Sequence, residues 1–223
     1  MAAAILQGLD MARVSEASMK GLSILRDPAQ FKWYVVPLLL VVLYVYAKEA
    51  QHKKWSVIFG GLALWGMDWF NEIWNALVFH FTSFAPVWGA PQDTAYLILI
   101  GLNIEITFMF LIMGVMAASL LPADKKMKIF GINNRIVFAA VNTTLCVIVE
   151  IILNLGGWLT WEYSWWRPGF PFVLWLIGYL PFFAVCYWVH DMESTKKQAI
   201  TTGAILGFDL VCLIIFGGVL RWI

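Results

Sequence analysis

The chain has 223 residues, of which 61% are apolar and only 13% are charged, and its formal net charge is +1. A soluble domain carries about a quarter charged residues, so this composition excludes an ordinary soluble protein. The small net charge also excludes a nucleic-acid-binding protein on electrostatic grounds. We therefore expect an all-α, polytopic integral membrane protein, with the lipid bilayer as its main partner.

Residues 1–30 are expected to form an amphipathic segment on the membrane surface, folded into one or two short helices. Asp27 and Pro28 give the signals that end such a segment. Its apolar residues recur at helical spacing and form two faces: Ile5, Leu9 and Ala12, then Met19, Leu22 and Leu25.

Residues 31–223 are expected to form one bundle of about six transmembrane helices. A spanning helix takes ~20 mostly apolar residues, so six spans use nearly the whole remaining length. The apolar stretches predict spans at about 33–47, 55–79, 96–121, 136–158, 170–189 and 199–222.

The positions of Lys and Arg predict the orientation of this bundle, because cytoplasmic loops are enriched in both residues. The loops between spans one and two, three and four, and five and six are therefore predicted to be cytoplasmic, with both termini on the opposite side. Four basic residues before the first span oppose this orientation, and three acids offset them. The basic residues of the three loops are Lys48, Lys53, Lys54, Lys125, Lys126, Lys128, Arg135, Lys196 and Lys197.

Five carboxylic acids lie well inside the predicted spans, and no Lys, Arg or His lies at a comparable depth. A charge near the bilayer centre costs a few kcal/mol even on the gentler scales. Acids without a basic partner must be protonated, hydrogen-bonded to one another, hydrated or bound to a cation. The five are Asp68, Glu72, Glu105, Glu150 and Asp209.

The helical rise places these acids in one layer. Glu72, Glu105 and Glu150 each lie roughly 12–15 Å inside the non-cytoplasmic end of their spans, and Asp68 and Asp209 lie slightly deeper. We therefore predict that Glu72, Asp68, Glu105 and Glu150 are catalytic residues in a shared pocket.

The residues around this layer are predicted to bind a substrate. Asp68, Glu72 and Asn75 lie on one face of the second span, and Glu150 lies on one face with Asn154 in the fourth. Tryptophan is abundant, with 13 in the chain, and the run from Trp158 to Trp166 fits either an interfacial belt or the roof of a cavity. The predicted substrate-binding residues are Asn75, Asn154, Trp65, Trp158, Trp161 and Asp209.

The sequence NEIW at Asn71–Trp74 resembles the acid-bearing second helix of membrane terpene cyclases. The acids on successive helices resemble the layout of the sterol isomerase superfamily. Each likeness covers one helix or one pattern, and both imply an isoprenoid- or sterol-like substrate. From the residues themselves, we expect an intramembrane enzyme that uses carboxylic acids for acid–base chemistry on a hydrophobic small molecule, as an isomerase, cyclase or hydratase, with no cofactor and no metal.

Three other functions remain open at this stage. Mid-membrane carboxylates also occur in transporters and channels for protons or cations. A metal oxidase with carboxylate ligands is a further alternative, although none of the five acids of the layer belongs to a Glu-x-x-His pair. The chain is finally compatible with an oligomer or with an accessory subunit of a membrane complex. A closed, Trp-lined cavity that opens sideways to lipid would favour catalysis, whereas a continuous water path would favour transport.

Overall fold

The computed structural model describes residues 7–223, and these residues are mostly helical, as the all-α prediction requires. A π-helical turn, Leu174–Tyr179, runs directly into α6, and a second, Leu213–Val219, continues α7. The helices are α1 Glu16–Ile24, α2 Val35–Gln51, α3 Trp55–Thr82, α4 Ile104–Ser119, α5 Asn134–Leu155, α6 Leu180–His190 and α7 Thr195–Cys212, with a single 3-10 turn at Pro28–Gln30.

Among residues 7–223, two helical stretches are long and apolar enough to cross a membrane by length and composition. One is α5, and the other is α7 with its π extension, Thr195–Val219. Two more stretches, Ile104–Ser119 and Leu174–His190, are apolar but shorter. The expectation of a membrane protein is therefore supported, while the number of six spans stays a prediction.

The third predicted span is wrong in its first part, because residues 97–103 form a β-hairpin. Strand β1, Leu97–Leu99, pairs antiparallel with β2, Leu102–Asn103. Helix α4 begins only at Ile104, where the Asn103 side chain accepts a hydrogen bond of 2.8 Å from the Ile106 N–H and caps the helix. Glu105 therefore lies in the first turn of α4 and not in the middle of a span.

A second hairpin precedes α5 in the same way. Strands β3, Lys128–Ile129, and β4, Ile132–Asn133, are antiparallel. The Asn133 side chain then accepts a 2.8 Å hydrogen bond from the Arg135 N–H at the start of α5. Both hairpins end in Gly-X-Asn before their helix, and they lie at opposite ends of the bundle because α4 and α5 run in opposite directions.

Helix α3 is the central element of the bundle. It packs against α4, α6 and α7, and it buries 13 of its 28 residues. Its backbone approaches α4 very closely at a pair of glycines. A Cβ on Gly114 would lie 2.5 Å from the carbonyl oxygen of Gly61, so this crossing requires residues without side chains. The polar side chains of α3 are thereby held in the interior.

One end of the bundle is closed by a roof, which we define as α1, residues 83–103 and residues 156–170. Backbone hydrogen bonds of 2.9 and 3.0 Å join Gly89 to Thr160 and tie the two longer segments together. Leu22 and Leu25, each 3% exposed, pack α1 and the residue after it against the apolar residues of the hairpin.

The structure of residues 7–30 differs in part from the amphipathic surface segment that the sequence predicts. Leu9 and Ala12 lie in turns before α1, and Ile5 lies outside the described residues. Only Glu16–Ile24 forms an α-helix in residues 7–30, and it is docked on the bundle.

Candidate functional site

A cavity of about 210 Å³ lies below the roof, between α3, α4, α5 and the π-helical turn before α6. Most of its lining is apolar. Three of the four predicted catalytic acids, Asp68, Glu72 and Glu150, line this one cavity, and none is more than 6% exposed. The structure therefore brings together acids from α3 and α5 as the helical pattern of the sequence predicts.

Glu72 is held by an aromatic donor from the roof. The indole N–H of Trp88 donates a 2.7 Å hydrogen bond to Oε1 of Glu72. The second oxygen, Oε2, is buried and has no hydrogen-bond partner among the described residues. One donor thus stabilises the carboxylate while its other oxygen remains free to exchange a proton.

Asn75 acts on Glu72 indirectly, by positioning Trp88. Its Oδ1 accepts hydrogen bonds from the N–H groups of Val87, at 2.7 Å, and Trp88, at 3.2 Å, and its Nδ2 donates to the Trp88 carbonyl at 2.7 Å. The side chain is fully buried. Asn75 was predicted to contact substrate, but its polar atoms are engaged by the roof backbone.

Gly101, in the hairpin, completes this packing. A Cβ there would lie 2.5 Å from Nδ2 of Asn75 and 2.7 Å from Oε2 of Glu72. No side chain fits without moving these groups. The roof can therefore cover Glu72 closely only because this position is glycine.

Glu150 occupies the opposite wall, on α5. Tyr179 lies in the same cavity, and Trp161 packs against the aromatic cluster next to Val147, one turn from Glu150 on α5. The Trp161 N–H is buried and has no hydrogen-bond partner among residues 7–223. Tyr179 also lines the cavity, with its ring stacked on Phe110 at 6.3 Å.

The π-helical turn places Tyr179 in the cavity. Pro181 has no N–H, so it cannot donate to the Ile177 carbonyl four residues earlier. The Asn71 side chain fills this gap with hydrogen bonds to the carbonyls of Gly178, at 3.2 Å, and Ile177, at 3.5 Å. π-helical turns often mark functional positions, and this one brings a tyrosine to a buried acid.

Glu105, the fourth predicted catalytic acid, lies outside the cavity. Its carboxylate accepts hydrogen bonds from the Tyr34 hydroxyl, from Oγ1 of Thr94 at 2.6 Å and from the Ala95 N–H at 2.8 Å. These donors tie α4 to the roof and to α2. The predicted depth failed because the helical rise was applied across residues that form a hairpin.

None of the six predicted substrate-binding residues lines the cavity, and four of them are held elsewhere or exposed. Asn154 donates a hydrogen bond to the Leu159 carbonyl at 3.1 Å, and Trp65 donates to Oγ1 of Thr107 at 3.0 Å. Trp158 is 58% exposed. Asp209 on α7 is buried against α3, and neither of its oxygens has a partner among the described residues.

An aromatic wall faces the acids from the roof. The rings of Trp88 and Trp166 are stacked at 5.3 Å, and both line the cavity. Trp74 adjoins Trp88 at 5.9 Å. Indole faces attract cations, so this wall can stabilise positive charge that develops on a bound molecule.

The cavity opens sideways, between α4 and α5. Met109 on α4 and Leu145 and Val149 on α5 line it, yet they are 45–55% exposed on the outer face of the bundle. The two helices touch deeper, where the Cys146 and Met113 sulfur atoms lie 3.5 Å apart. An apolar molecule can therefore reach the acids from the side of the bundle.

The sequence pattern did not indicate Trp88, Tyr179 or Gly101 as parts of the site, and it placed Trp166 only in a run that fits either a belt or a cavity roof. Trp88 carries no signal of its own, because its contact with Glu72 depends on Asn75, which lies 13 residues earlier. A signal for Tyr179 was present in Pro181, which marks an irregular helix two residues later. Within residues 7–223, no group of three or more His, Cys, Asp or Glu is placed to hold a metal ion.

Two relatives and one protein-family model match this chain. A protein of Archaeoglobus fulgidus described as uncharacterized is 60% identical over 209 residues, which cover 94% of this chain and 99% of the relative. A second, shorter protein of that organism with the same description is 64% identical over 53 residues, which cover 24% of this chain and 95% of the relative. No solved structure matches the chain. Residues 15–218 match the model described as "Uncharacterized membrane protein family", and the chain therefore belongs to this family of membrane proteins.

Proposed function

We propose that the protein is an intramembrane enzyme that rearranges a lipid-soluble, isoprenoid- or sterol-like substrate by acid–base chemistry. The observation that carries this proposal is that Glu72 and Glu150 line one apolar cavity beneath an aromatic wall. A carboxylic acid in such surroundings can add a proton to an alkene or open an epoxide, and a second carboxylate can remove a proton from the resulting cation.

The lateral opening supports a substrate that arrives from lipid. The rim residues Met109, Leu145 and Val149 are apolar and exposed. The roof covers the cavity at the end of the bundle where residues 7 and 221 meet. Water is thereby kept from a cationic intermediate, which would otherwise be trapped as an alcohol.

We place this site in a six-span topology. The spans are α2, α3, α4, α5, the stretch Leu174–His190 and α7 with its extension. The basic loops put the α2–α3, α4–α5 and α6–α7 connections in the cytoplasm, and the roof on the opposite side. Single cysteines introduced at Asp93 and Lys126 in a cysteine-free variant test this topology. An impermeant maleimide added from outside should label only the former.

The enzymatic proposal is tested by reconstituting the purified protein in liposomes made in deuterium oxide, with a panel of polyprenyl hydrocarbons, their epoxides and sterols. Protonation and deprotonation at carbon place non-exchangeable deuterium in the product, which mass spectrometry detects. We expect incorporation with the native chain and a loss of at least ~100-fold in Glu72→Gln and in Glu150→Gln. Glu193→Gln, an exposed change far from the cavity, serves as the matched control.

Two results would contradict this proposal. One is turnover at the native rate in both glutamine variants. The other is the absence of deuterium incorporation from every substrate class by folded protein.

A second candidate, proton passage, is favoured by one observation. Asp209 lies outside the cavity, between α7 and α3, with two buried and unpartnered oxygens near Asp68. A chain of acids that continues beyond the cavity is what a proton path would use. Liposomes with an internal pH-sensitive dye distinguish the two functions, because Asp209→Asn should abolish a proton flux but leave deuterium incorporation by the enzyme nearly unchanged.

A further inference from the structure

The hydrogen-bond donors near Glu72 and Glu150 differ, and this difference indicates which of the two is the acid and which is the base. Glu72 already accepts the Trp88 N–H at 2.7 Å, whereas the Trp161 N–H, in the aromatic cluster that packs against Val147 one turn from Glu150 on α5, is buried without a partner among the described residues. A buried, unsatisfied donor costs free energy comparable to a lost hydrogen bond, about 1–3 kcal/mol, so its retention calls for an explanation. A donor that has no partner while the neighbouring acid is protonated can donate a hydrogen bond to the carboxylate once that acid loses its proton.

We propose that Glu150 is the acid and Glu72 the base, and that Tyr179 and Trp161 are positioning residues that stabilise the Glu150 carboxylate formed during the reaction. This inference rests on the proposed function. In this proposal the Tyr179 hydroxyl, which lines the same cavity, donates to one oxygen of Glu150, and the other oxygen presents its proton to the cavity. When this proton leaves, the Trp161 N–H turns to the new carboxylate.

The proton balance is closed over one turnover. The Glu150 O–H bond breaks, its proton forms a new C–H bond with the alkene π electrons, and a carbocation remains facing the indole wall. Glu72 then takes a proton from the adjacent carbon, and that C–H electron pair forms the new double bond. Between turnovers the two carboxyl groups exchange their protons with solvent, which resets the pair with no net consumption of acid and lets each turnover place deuterium in the product.

The surroundings of Glu150 support a role for these donors specifically. Tyr179 is fixed by stacking on Phe110 and by contact with Phe182 at 5.7 Å. Trp161 and Tyr179 pack against the aromatic cluster that contains Trp88 and Trp166. No basic residue lines the cavity, so these neutral donors replace a cation.

The first experiment needs no substrate. In the protein labelled with ¹⁵N-tryptophan and placed in nanodiscs, the Trp161 indole resonance is identified by its loss in Trp161→Phe. As the pH rises from mildly acidic to alkaline, we expect this resonance to move downfield, because the N–H becomes bonded to the Glu150 carboxylate. The movement should be absent in Glu150→Gln. The other titratable groups facing this site are Cys146 on α5, Tyr179 on the π-helical turn, and Asp68 and Glu72 on α3, and the lining residues of α4 carry none.

The second experiment measures turnover with the deuterium assay. Trp161→Phe and Tyr179→Phe should each reduce incorporation roughly 10–100-fold, the range expected when a donor to a developing negative charge is removed. Trp158→Phe is the matched control, because Trp158 is a neighbouring and exposed tryptophan outside the cavity.

The outcomes separate this inference from the proposed function. A Trp161 resonance that does not respond to pH, or responds equally in Glu150→Gln, overturns the inference even if turnover is found. A Trp161 resonance that shifts with pH in the native chain but not in Glu150→Gln supports the inference even if no substrate in the panel reacts. Should Trp161→Phe fail to fold, the loss of one pH-dependent indole shift in Glu150→Gln still decides the question.

Discussion

The chain holds half-buried and buried carboxylates in two different ways. At the end opposite the roof, Asp191 accepts two hydrogen bonds from the Arg135 guanidinium, at 2.8 and 2.9 Å, and a third from His190 at 2.9 Å. In the cavity, Asp68, Glu72 and Glu150 have neither arginine nor lysine beside them. The same fold can therefore neutralise an acid with a cation, and it does so only away from the cavity.

The contrast lies in which surroundings allow an acid to change its protonation state. Paired with Arg135, the Asp191 carboxylate is fixed in its charged form and ties the start of α5 to the end of α6. Surrounded by apolar side chains and a few neutral donors, a carboxyl group can exist in both protonation states. Variants that alter either of these two environments should therefore differ in their effects.

The largest effect is expected from filling the cavity. Cys146→Trp adds a large ring among Asp68, Glu150 and Met109, so a substrate should be excluded. Deuterium incorporation should fall at least ~100-fold, because reacting groups displaced by even 1 Å lose about that much. Ile148→Trp, a 49% exposed position on the same helix, should remain active. Equal activity of the two variants would show that the reaction occurs elsewhere.

The next effect concerns the close cover over Glu72. Gly101→Ala would push a methyl group into Asn75 and Glu72, and overpacking of this kind costs about 1–3 kcal/mol. We expect a lower thermal midpoint and reduced turnover. Gly203→Ala is the matched control, because a Cβ there meets no atom within 4 Å, and alanine favours the helix. A Gly101→Ala variant as stable and active as the native chain would contradict the roof geometry.

A smaller effect separates Glu105 from the cavity acids. Glu105→Gln weakens the hydrogen bonds from Thr94, Tyr34 and Ala95, so the free energy of unfolding should fall by about 1–2 kcal/mol. Turnover should stay within a few-fold of the native value. A loss as large as that in Glu150→Gln would restore Glu105 to the catalytic set.

The smallest effect concerns the paired acid. Burial alone would raise the pKa of Asp191, but hydrogen bonds from Arg135 and His190 outweigh it and hold this pKa below its usual range. The stability from this pairing is therefore present above the unfolded-state pKa of about 4 and is lost as the pH falls through the folded-state value. Thermal midpoints measured across acidic pH should decline less steeply in Asp191→Asn than in the native chain. Parallel declines would show that the ion pair adds nothing.

Much of this arrangement was predictable from spacing. Asp68 and Glu72 are one helical turn apart, and an apolar bilayer or core cannot satisfy them, so they had to face the interior together. Glu150 followed from the same argument on α5. Helix α4 was misjudged because residues 97–102 are all apolar or glycine, and hydropathy does not distinguish a buried hairpin from the first turns of a span. Asn103, a strong N-cap residue, was the available signal.

The remaining features depend on contacts between distant parts of the chain. Trp88 reaches Glu72 because the backbone of residues 87–88 is bonded to Asn75. Tyr179 reaches Glu150 because Asn71 compensates for the missing donor of Pro181. No periodicity encodes either arrangement, since each pairs a loop or an irregular turn with a side chain on another helix.

The gap between α4 and α5 has a consequence for how turnover must be measured. A molecule that arrives through this gap is drawn from the bilayer, so its relevant concentration is its mole fraction among the lipids. Adding empty vesicles to an assay should leave the rate per protein unchanged, whereas adding lipid to the same vesicles should slow it by dilution in two dimensions.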